Sequence, residues 1–330
     1  MQWEKGKRLG KGGFGEVFVA HLMNSNIRTM AVKSAAEDKA ATLFAEHKIL
    51  TRFRNAPGII QCFYDQPIED YTEGTVSYNL FMEYARGGSL TNLIGGGIPE
   101  SEVRVYTRMI LSALYLIHWA GYVHCDIKPD NILAFPRETG TGVCWELKIA
   151  DFGLAVESSK LIQGSADYRG TTRYKSPEMV ASGELTPAVD VWALGCTVLE
   201  MLTGRRPWSE LKKKEEVKWR IAKGGMPEIP QWVSEEGKDF LRKCFAKDVN
   251  SRWCVRRFLE HSFVAADRHG GGFGGAAVVG GGRVLGLRRE IERRWQEDKK
   301  QSKRSPAAAD FPLLPHQLLG QGIKTVLRCR

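Results

Sequence analysis

Two spacings of apolar residues divide this chain. Residues 1–84 carry short β-prone runs, Val17-Phe18-Val19-Ala20 and Thr29-Met30-Ala31-Val32, with Asn24-Ser25-Asn26 as turn chemistry between them. A helical stretch is predicted over 39–53, with Leu43, Ile49, Leu50 and Phe53 suited to packing. Two more strands are predicted at 59–65 and 76–83, and Tyr84-Ala85-Arg86-Gly87-Gly88 reads as a linker. Beyond it the period becomes helical. Residues 101–120 place Val105, Ile110 (or Met109), Leu114 and Ile117 on one side, and further helices suit 188–203, 213–223 and 235–246. The pattern predicts an α+β chain, a small β-rich lobe followed by a larger helical one, and a cleft at the join is a natural ligand site.

Three segments fall outside that pattern of lobes. The most apolar run, 188–204, carries Asp190 and Glu200 and is too short to span a bilayer, so a buried core helix is expected and no transmembrane segment. Residues 265–282 are dense in glycine, where no packed core is expected. Residues 283–300 could wind into an amphipathic helix, with Val284, Leu287, Ile291 and Trp295 on one stripe among arginines. Residues 306–330 have no clear period, and the whole of 265–330 is expected to be a disordered, Gly-rich, basic tail. A docking or membrane-surface helix is the sharper alternative.

Composition changes this picture in two respects. The seven cysteines among 330 residues are scattered, with no C-x-x-C pair, which favours reduced thiols inside a cell over disulfides or a zinc site. The N-terminal Met1-Gln2-Trp3-Glu4-Lys5-Gly6-Lys7-Arg8 has no apolar stretch behind its charges and does not read as a secretory signal. A cytosolic or nuclear location is therefore expected. The net charge of +10 is uneven, since residues 265–330 hold 13 Lys and Arg against 6 Asp and Glu. The excess belongs mostly to the tail and does not mark a specific nucleic-acid binder.

The chemistry begins at Gly10-Lys11-Gly12-Gly13-Phe14-Gly15-Glu16-Val17. G-x-G-x-x-G alone is a weak signal, shared with dinucleotide-binding turns. A dinucleotide fold would place a helix after the third glycine, whereas here Val17-Phe18-Val19 continues as a strand. The loop is then a hairpin tip whose N–H groups can meet phosphate oxygens. Lys33 lies one strand further on, where an ammonium can reach the same phosphates. Its carboxylate partner is expected on the first helix at Glu46, because Glu37 and Asp38 lie too close in sequence to fold back.

The densest cluster is His124-Cys125-Asp126-Ile127-Lys128-Pro129-Asp130-Asn131, followed at a distance by Asp151-Phe152-Gly153. Asn131 and Asp151 are hard oxygen ligands suited to Mg²⁺ bridging phosphates. Asp126 can accept a hydrogen bond from an incoming hydroxyl, and Lys128 can neutralise charge on the transferring group.

Together these segments resemble the protein-kinase signature set, in order and spacing, across residues 3–264. Gly170-Thr171 leading to Ser176-Pro177-Glu178 is similar to the family's A-P-E segment. Asp190-Val191-Trp192-Ala193-Leu194-Gly195 resembles the helix that anchors the catalytic loop, and Arg252 the arginine that pairs with Glu178. The resemblance implies a two-lobed kinase fold, with an N-lobe of 3–84 and a C-lobe of 86–264. It implies ATP as phosphoryl donor and Mg²⁺ as companion ion. It places Leu9, Gly10, Gly12, Gly15 and Val17 over the nucleotide, the linker backbone at Glu83 and Ala85 on adenine, and Met82 behind the pocket. It puts Thr171 beside Asp126 and Lys128 in the pattern of serine/threonine kinases.

The C-terminal part, 238–264, and the His124-Cys125-Asp126 variant are similar to plant mitogen-activated protein kinase kinase kinases. That resemblance implies a protein substrate, a downstream mitogen-activated protein kinase kinase. Two alternatives stand beside it. One is a serine/threonine kinase of another branch. The other is a pseudokinase scaffold, which would usually lack a lysine or aspartate that is present here. Two positions depart from the pattern, Ser176 where alanine is usual and Cys125 where arginine is usual. Cys125 carries no charge to pair with a phosphate on Ser158, Ser159, Ser165 or Thr172, although Lys160, Arg169 or Arg173 could substitute. Activity is accordingly expected to depend little on phosphorylation of that loop.

Overall fold

The structure is a computed structural model that describes residues 2–13, 15–23, 29–72, 75–139, 142–158 and 170–265. The expectations for the tail, for the turn at Asn24-Ser25-Asn26, and for Ser159, Lys160, Ser165 and Arg169 lie outside the described residues.

The N-terminal lobe is a five-stranded antiparallel sheet. Its strands are β1 (Trp3–Gly12), β2 (Gly15–Leu22), β3 (Thr29–Ala36), β4 (Ile68–Thr72) and β5 (Thr75–Met82), in the order β1-β2-β3-β5-β4. One helix, α1 (Ala40–Arg52), belongs to this lobe. Leu43, Ile49 and Leu50 on it are buried, as is Phe53 just past its end. The C-terminal lobe holds α2 (Leu90–Ile94), α3 (Glu100–Trp119), α4 (Pro177–Ala181), α5 (Pro187–Thr203), α6 (Lys214–Ala222), α7 (Glu235–Cys244) and α8 (Val255–Phe258). Two small sheets join them: β6 (Tyr122–Val123) pairs with β9 (Val156–Glu157), and β7 (Ile132–Thr139) with β8 (Gly142–Ile149).

Helix α5 is buried along almost its whole length, from Val189 to Leu202. Pro187 opens it and Gly204, at φ 67°, closes it, the asymmetry expected of helix ends. It is the core around which the large lobe packs. Among the described residues no helix is long and apolar enough to cross a membrane.

Two expectations fail in informative ways, and one element has no counterpart in the sequence pattern. Residues 59–65 do not form a strand. Ile59 bridges Ile149 in parallel while Cys62 bridges Met82 antiparallel, so the segment passes between two partners and completes a ladder with neither. Its apolar character comes from burial, with Ile59 and Ile60 almost fully enclosed. The fourth strand is instead Ile68-Glu69-Asp70-Tyr71-Thr72, an edge strand with little apolar content. On α3, Val105 is 40% exposed, and the buried face runs through Val103, Tyr106, Ile110, Leu114 and Ile117. The β7–β8 hairpin was not anticipated, because Pro136 and flanking charges break its apolar alternation.

Candidate active site

The glycine loop is the tip of the β1–β2 hairpin, closed by the pair Gly12 and Gly15. Gly15 has φ 142°, and a Cβ there would lie 2.5 Å from the Ser34 carbonyl oxygen. Only glycine lets the tip lie this close to β3. The next strand carries Lys33 opposite Val17 and Leu80, with its side chain 8% exposed.

Lys33 joins three parts of the chain. Its Nζ donates to Glu46 Oε2 at 2.6 Å and to Asp151 Oδ1 at 2.8 Å. Glu46 Oε1 accepts the Phe152 N–H at 3.1 Å, so helix α1, strand β3 and the Asp151 turn are tied together. Asp151 stands at φ 61°, in the left-handed region, a strained conformation that these bonds hold in place. Burial alone would pull the Lys33 ammonium down, but the two carboxylates outweigh it and hold Lys33 above the usual lysine range. Burial likewise opposes the charge on Asp151, yet Lys33 wins and keeps that carboxyl below the usual range. Burial pushes Glu46 up while Lys33 pulls against it.

A second cluster sits across the cleft. Lys128 Nζ donates to Asp126 Oδ2 at 2.7 Å and to Thr171 Oγ1 at 2.7 Å. Thr171 donates to Asp126 Oδ1 through its hydroxyl at 2.9 Å and its N–H at 2.8 Å. Asn131 Nδ2 donates to Asp126 Oδ2 and to the Asp126 carbonyl, each at 2.9 Å. Gly170, at φ 72°, lets the chain pass where a Cβ would lie 2.6 Å from the Cys125 carbonyl oxygen. The loop is anchored from below by Asp190 on α5. Its carboxylate accepts the N–H groups of His124 at 2.8 Å and Cys125 at 2.9 Å, and bonds the His118 ring at 2.8 Å. The His124 ring packs edge-on against Phe152, 4.9 Å between centroids.

Between the clusters lies a cleft of about 680 Å³. It is lined by Leu9, Gly10, Gly12, Gly15, Val17, Lys33, Glu46, Met82, Glu83, Ala85, Asp126, Lys128, Asn131 and Asp151. Thr171 does not line it but is bonded to two residues that do. Sequence reasoning missed Leu133 and Ala31, which also line the cleft and add apolar surface. The apolar run Ile132-Leu133-Ala134 just after Asn131 was the available signal. Among the described residues no group of three or more His, Cys, Asp or Glu could hold a metal by itself. Such a cleft can take a flat apolar group at the linker end and a polyanion at the lysine end.

A model of the protein kinase domain matches residues 3–264. The chain belongs to the protein kinase family. The kinase is 40% identical over 281 residues to mitogen-activated protein kinase kinase kinase 20 of Arabidopsis thaliana, covering 81% of this chain and 79% of the relative. It is 36% identical over 271 residues to mitogen-activated protein kinase kinase kinase 17 of the same plant, covering 80% and 70%. A human relative, mitogen-activated protein kinase kinase kinase 4, is 32% identical over 275 residues, covering 80% of this chain and 16% of its own. The enzyme is an ATP-dependent serine/threonine protein kinase with a β-sheet lobe and a helical lobe.

The ion pair expected between Arg252 and Glu178 is present and double, at 2.6 and 3.1 Å. Cys125 is buried in an apolar cluster with Val123, Met179, Leu185 and Val189, against which Leu154 and Val156 pack. Arg173, one cation that could have met a loop phosphate, instead donates to the carbonyls of Pro207, Trp208 and Leu211.

Proposed function

We propose that this kinase acts as a mitogen-activated protein kinase kinase kinase, moving the γ-phosphate of ATP to a serine or threonine of a downstream mitogen-activated protein kinase kinase. The observation that supports this tier is the likeness to relatives of that name over most of their length. Residues 3–264 form the catalytic unit, and the cytosol or nucleus is its place of action.

In this reading adenine rests between Leu9, Val17, Ala31 and Leu133 and bonds the linker backbone at Glu83 and Ala85, with Met82 behind it. The N–H groups of the glycine loop and the Lys33 ammonium hold the phosphates, and Glu46 keeps Lys33 aimed. Asn131 and Asp151 offer the amide and carboxylate oxygens that suit Mg²⁺, two protein ligands being enough where phosphates supply the rest. Bound there, the ion would neutralise charge on the phosphates. Asp126 orients the acceptor hydroxyl and takes its proton at a carboxylate oxygen. Lys128 stabilises charge developing on the transferred group, and Thr171 holds Asp126 and Lys128 in register.

The test is transfer of labelled phosphate by the full chain to purified mitogen-activated protein kinase kinases that lack activity of their own. Transfer to one of these, absent with the Asp126→Asn enzyme, supports the reading. Transfer only to a generic acceptor protein would place the enzyme on another serine/threonine branch. No metal-dependent transfer at all would indicate a scaffold.

A further inference from the structure

The linker at the back of the cleft is held by side chains that the chemical step does not use. Lys148, on β8, donates from Nζ to Glu83 Oε1 at 2.7 Å and to Oε2 at 2.9 Å. The Gln61 N–H donates to Glu83 Oε2 at 2.9 Å, and the Glu83 N–H donates in return to the Gln61 carbonyl at 3.1 Å. The side chain of Gln61 reaches a third region. Its Nε2 donates to the carbonyls of Ile59 at 2.8 Å, Phe53 at 3.2 Å and Ala56 at 3.3 Å, while its Oε1 accepts the Asn55 N–H at 2.6 Å. Phe53 is the residue that caps the C-terminal end of α1, the helix that bears Glu46. Lys148 lies on the strand that runs into Asp151, and its ammonium sits over the Phe135 ring, 4.8 Å from the centroid. The Lys148 and Glu83 side chains are 15% and 23% exposed, so their contact is partly shielded from water.

One connected set of bonds therefore joins the linker, the end of α1 and the strand leading to Asp151. These three elements must stay in register if base and phosphates are to be gripped together. We infer that Lys148, Glu83 and Gln61 are a positioning network that sets the distance between the adenine linker and the Lys33–Glu46–Asp151 cluster. The inference rests on the kinase reading of the cleft. None of the three side chains meets the reacting phosphoryl group. Removing the Lys148 cation strips the Glu83 carboxylate of its charged partner, and the linker then relaxes toward water.

The test uses the full chain, with Lys148→Met, Lys148→Arg and Glu83→Gln. Affinity for a fluorescent ADP analogue is measured beside ATP turnover, so the network is tested independently of whether the chain transfers phosphate. Lys148→Met is expected to raise both the analogue's Kd and the KM for ATP about tenfold, with kcat within about twofold of wild type. Lys148→Arg, which keeps the charge, is expected to stay within about threefold on Kd and KM. Glu83→Gln keeps an acceptor but loses the ion pair, and is expected to fall between the two. It also serves as the decisive variant should Lys148→Met fail to fold. Unchanged Kd and KM with only a lower melting temperature would overturn the inference by showing a purely structural brace. A raised kcat would also overturn it, since the network would then restrain the enzyme rather than position its nucleotide.

Discussion

Lys33 and Lys128 face the same cleft, and each is bonded to a carboxylate at under 3 Å, yet they are built differently. Lys33 is held between partners 13 and 118 residues away and belongs to the sheet, the helix and the Asp151 turn at once. Lys128 is held by Asp126, two residues away, and by Thr171, within two loops of one lobe. The first is nearly closed to water, with Glu46 enclosed beside it, and the second is 17% exposed. In the proposed mechanism the contrast teaches that one lysine would carry conformation as well as chemistry, while the other would carry chemistry alone. A buried charge stripped of its partner is costly, whereas Asp126, also buried, would keep its bonds from Thr171 and Asn131 without Lys128.

The sharpest break of this comparison is Lys33→Met. It should cut kcat/KM by about a thousandfold or more, a barrier increase of about 4 kcal/mol. It should also weaken folding by about 3 to 5 kcal/mol, since Glu46 is left buried without its cation. Steady-state kinetics together with chemical denaturation would read both; a loss of activity with unchanged stability would show that Lys33 does not carry conformation. Asp126→Asn should cut kcat by about a thousandfold too, with the KM for ATP and the denaturation midpoint near wild type. A large shift in nucleotide affinity would move Asp126 into the first group. Lys128→Met should cost about a hundredfold in kcat, again with little change in stability. Comparable destabilisation by Lys128→Met and Lys33→Met would erase the distinction.

The smallest effect is in pH. Asp151 is kept below the usual carboxylate range by Lys33, against burial. A depressed carboxyl adds stability above its unfolded value and loses it as pH falls through the lowered folded value. The gap in melting temperature between wild type and Lys33→Met should therefore be widest near neutrality and narrow on acidification. Melting curves over a pH series check the sign. Glu46, which burial pushes up and Lys33 pulls down, changes the gap in the same direction, so a gap that stays constant or widens in acid would show that these charge contacts do not set it.

Much of the candidate site's geometry was legible in sequence because the proposed chemistry restricts residue type. A phosphate-facing loop needs glycine, and the spacing of Lys33 and Glu46 follows from one strand and one helix. Long periodic helices were equally plain, α5 most of all. Residues 59–65 misled because enclosure between two lobes produces the same apolar run as a strand. Val105 misled because one helical face can be drawn through several sets of positions. The Lys148–Glu83 contact left no trace, since a lysine and a glutamate 65 residues apart are usually two surface charges. Arg173 could be read as a free cation until its guanidinium was seen turned toward three carbonyls.

The apolar cluster around Cys125 has a consequence for how the enzyme answers to its solution. Where the kinase pattern has an arginine that can pair with a phosphate, Cys125 contributes a sulfur packed with Val123, Met179, Leu185 and Val189 beneath Leu154 and Val156. Charge pairs at a surface fade as ionic strength shortens the screening length, but apolar contacts do not. They weaken instead on cooling, and excluded salts such as sulfate strengthen them. The packing of Leu154 and Val156 on this cluster is therefore set to tolerate salt and to loosen in the cold, the reverse of a phosphate held by an arginine.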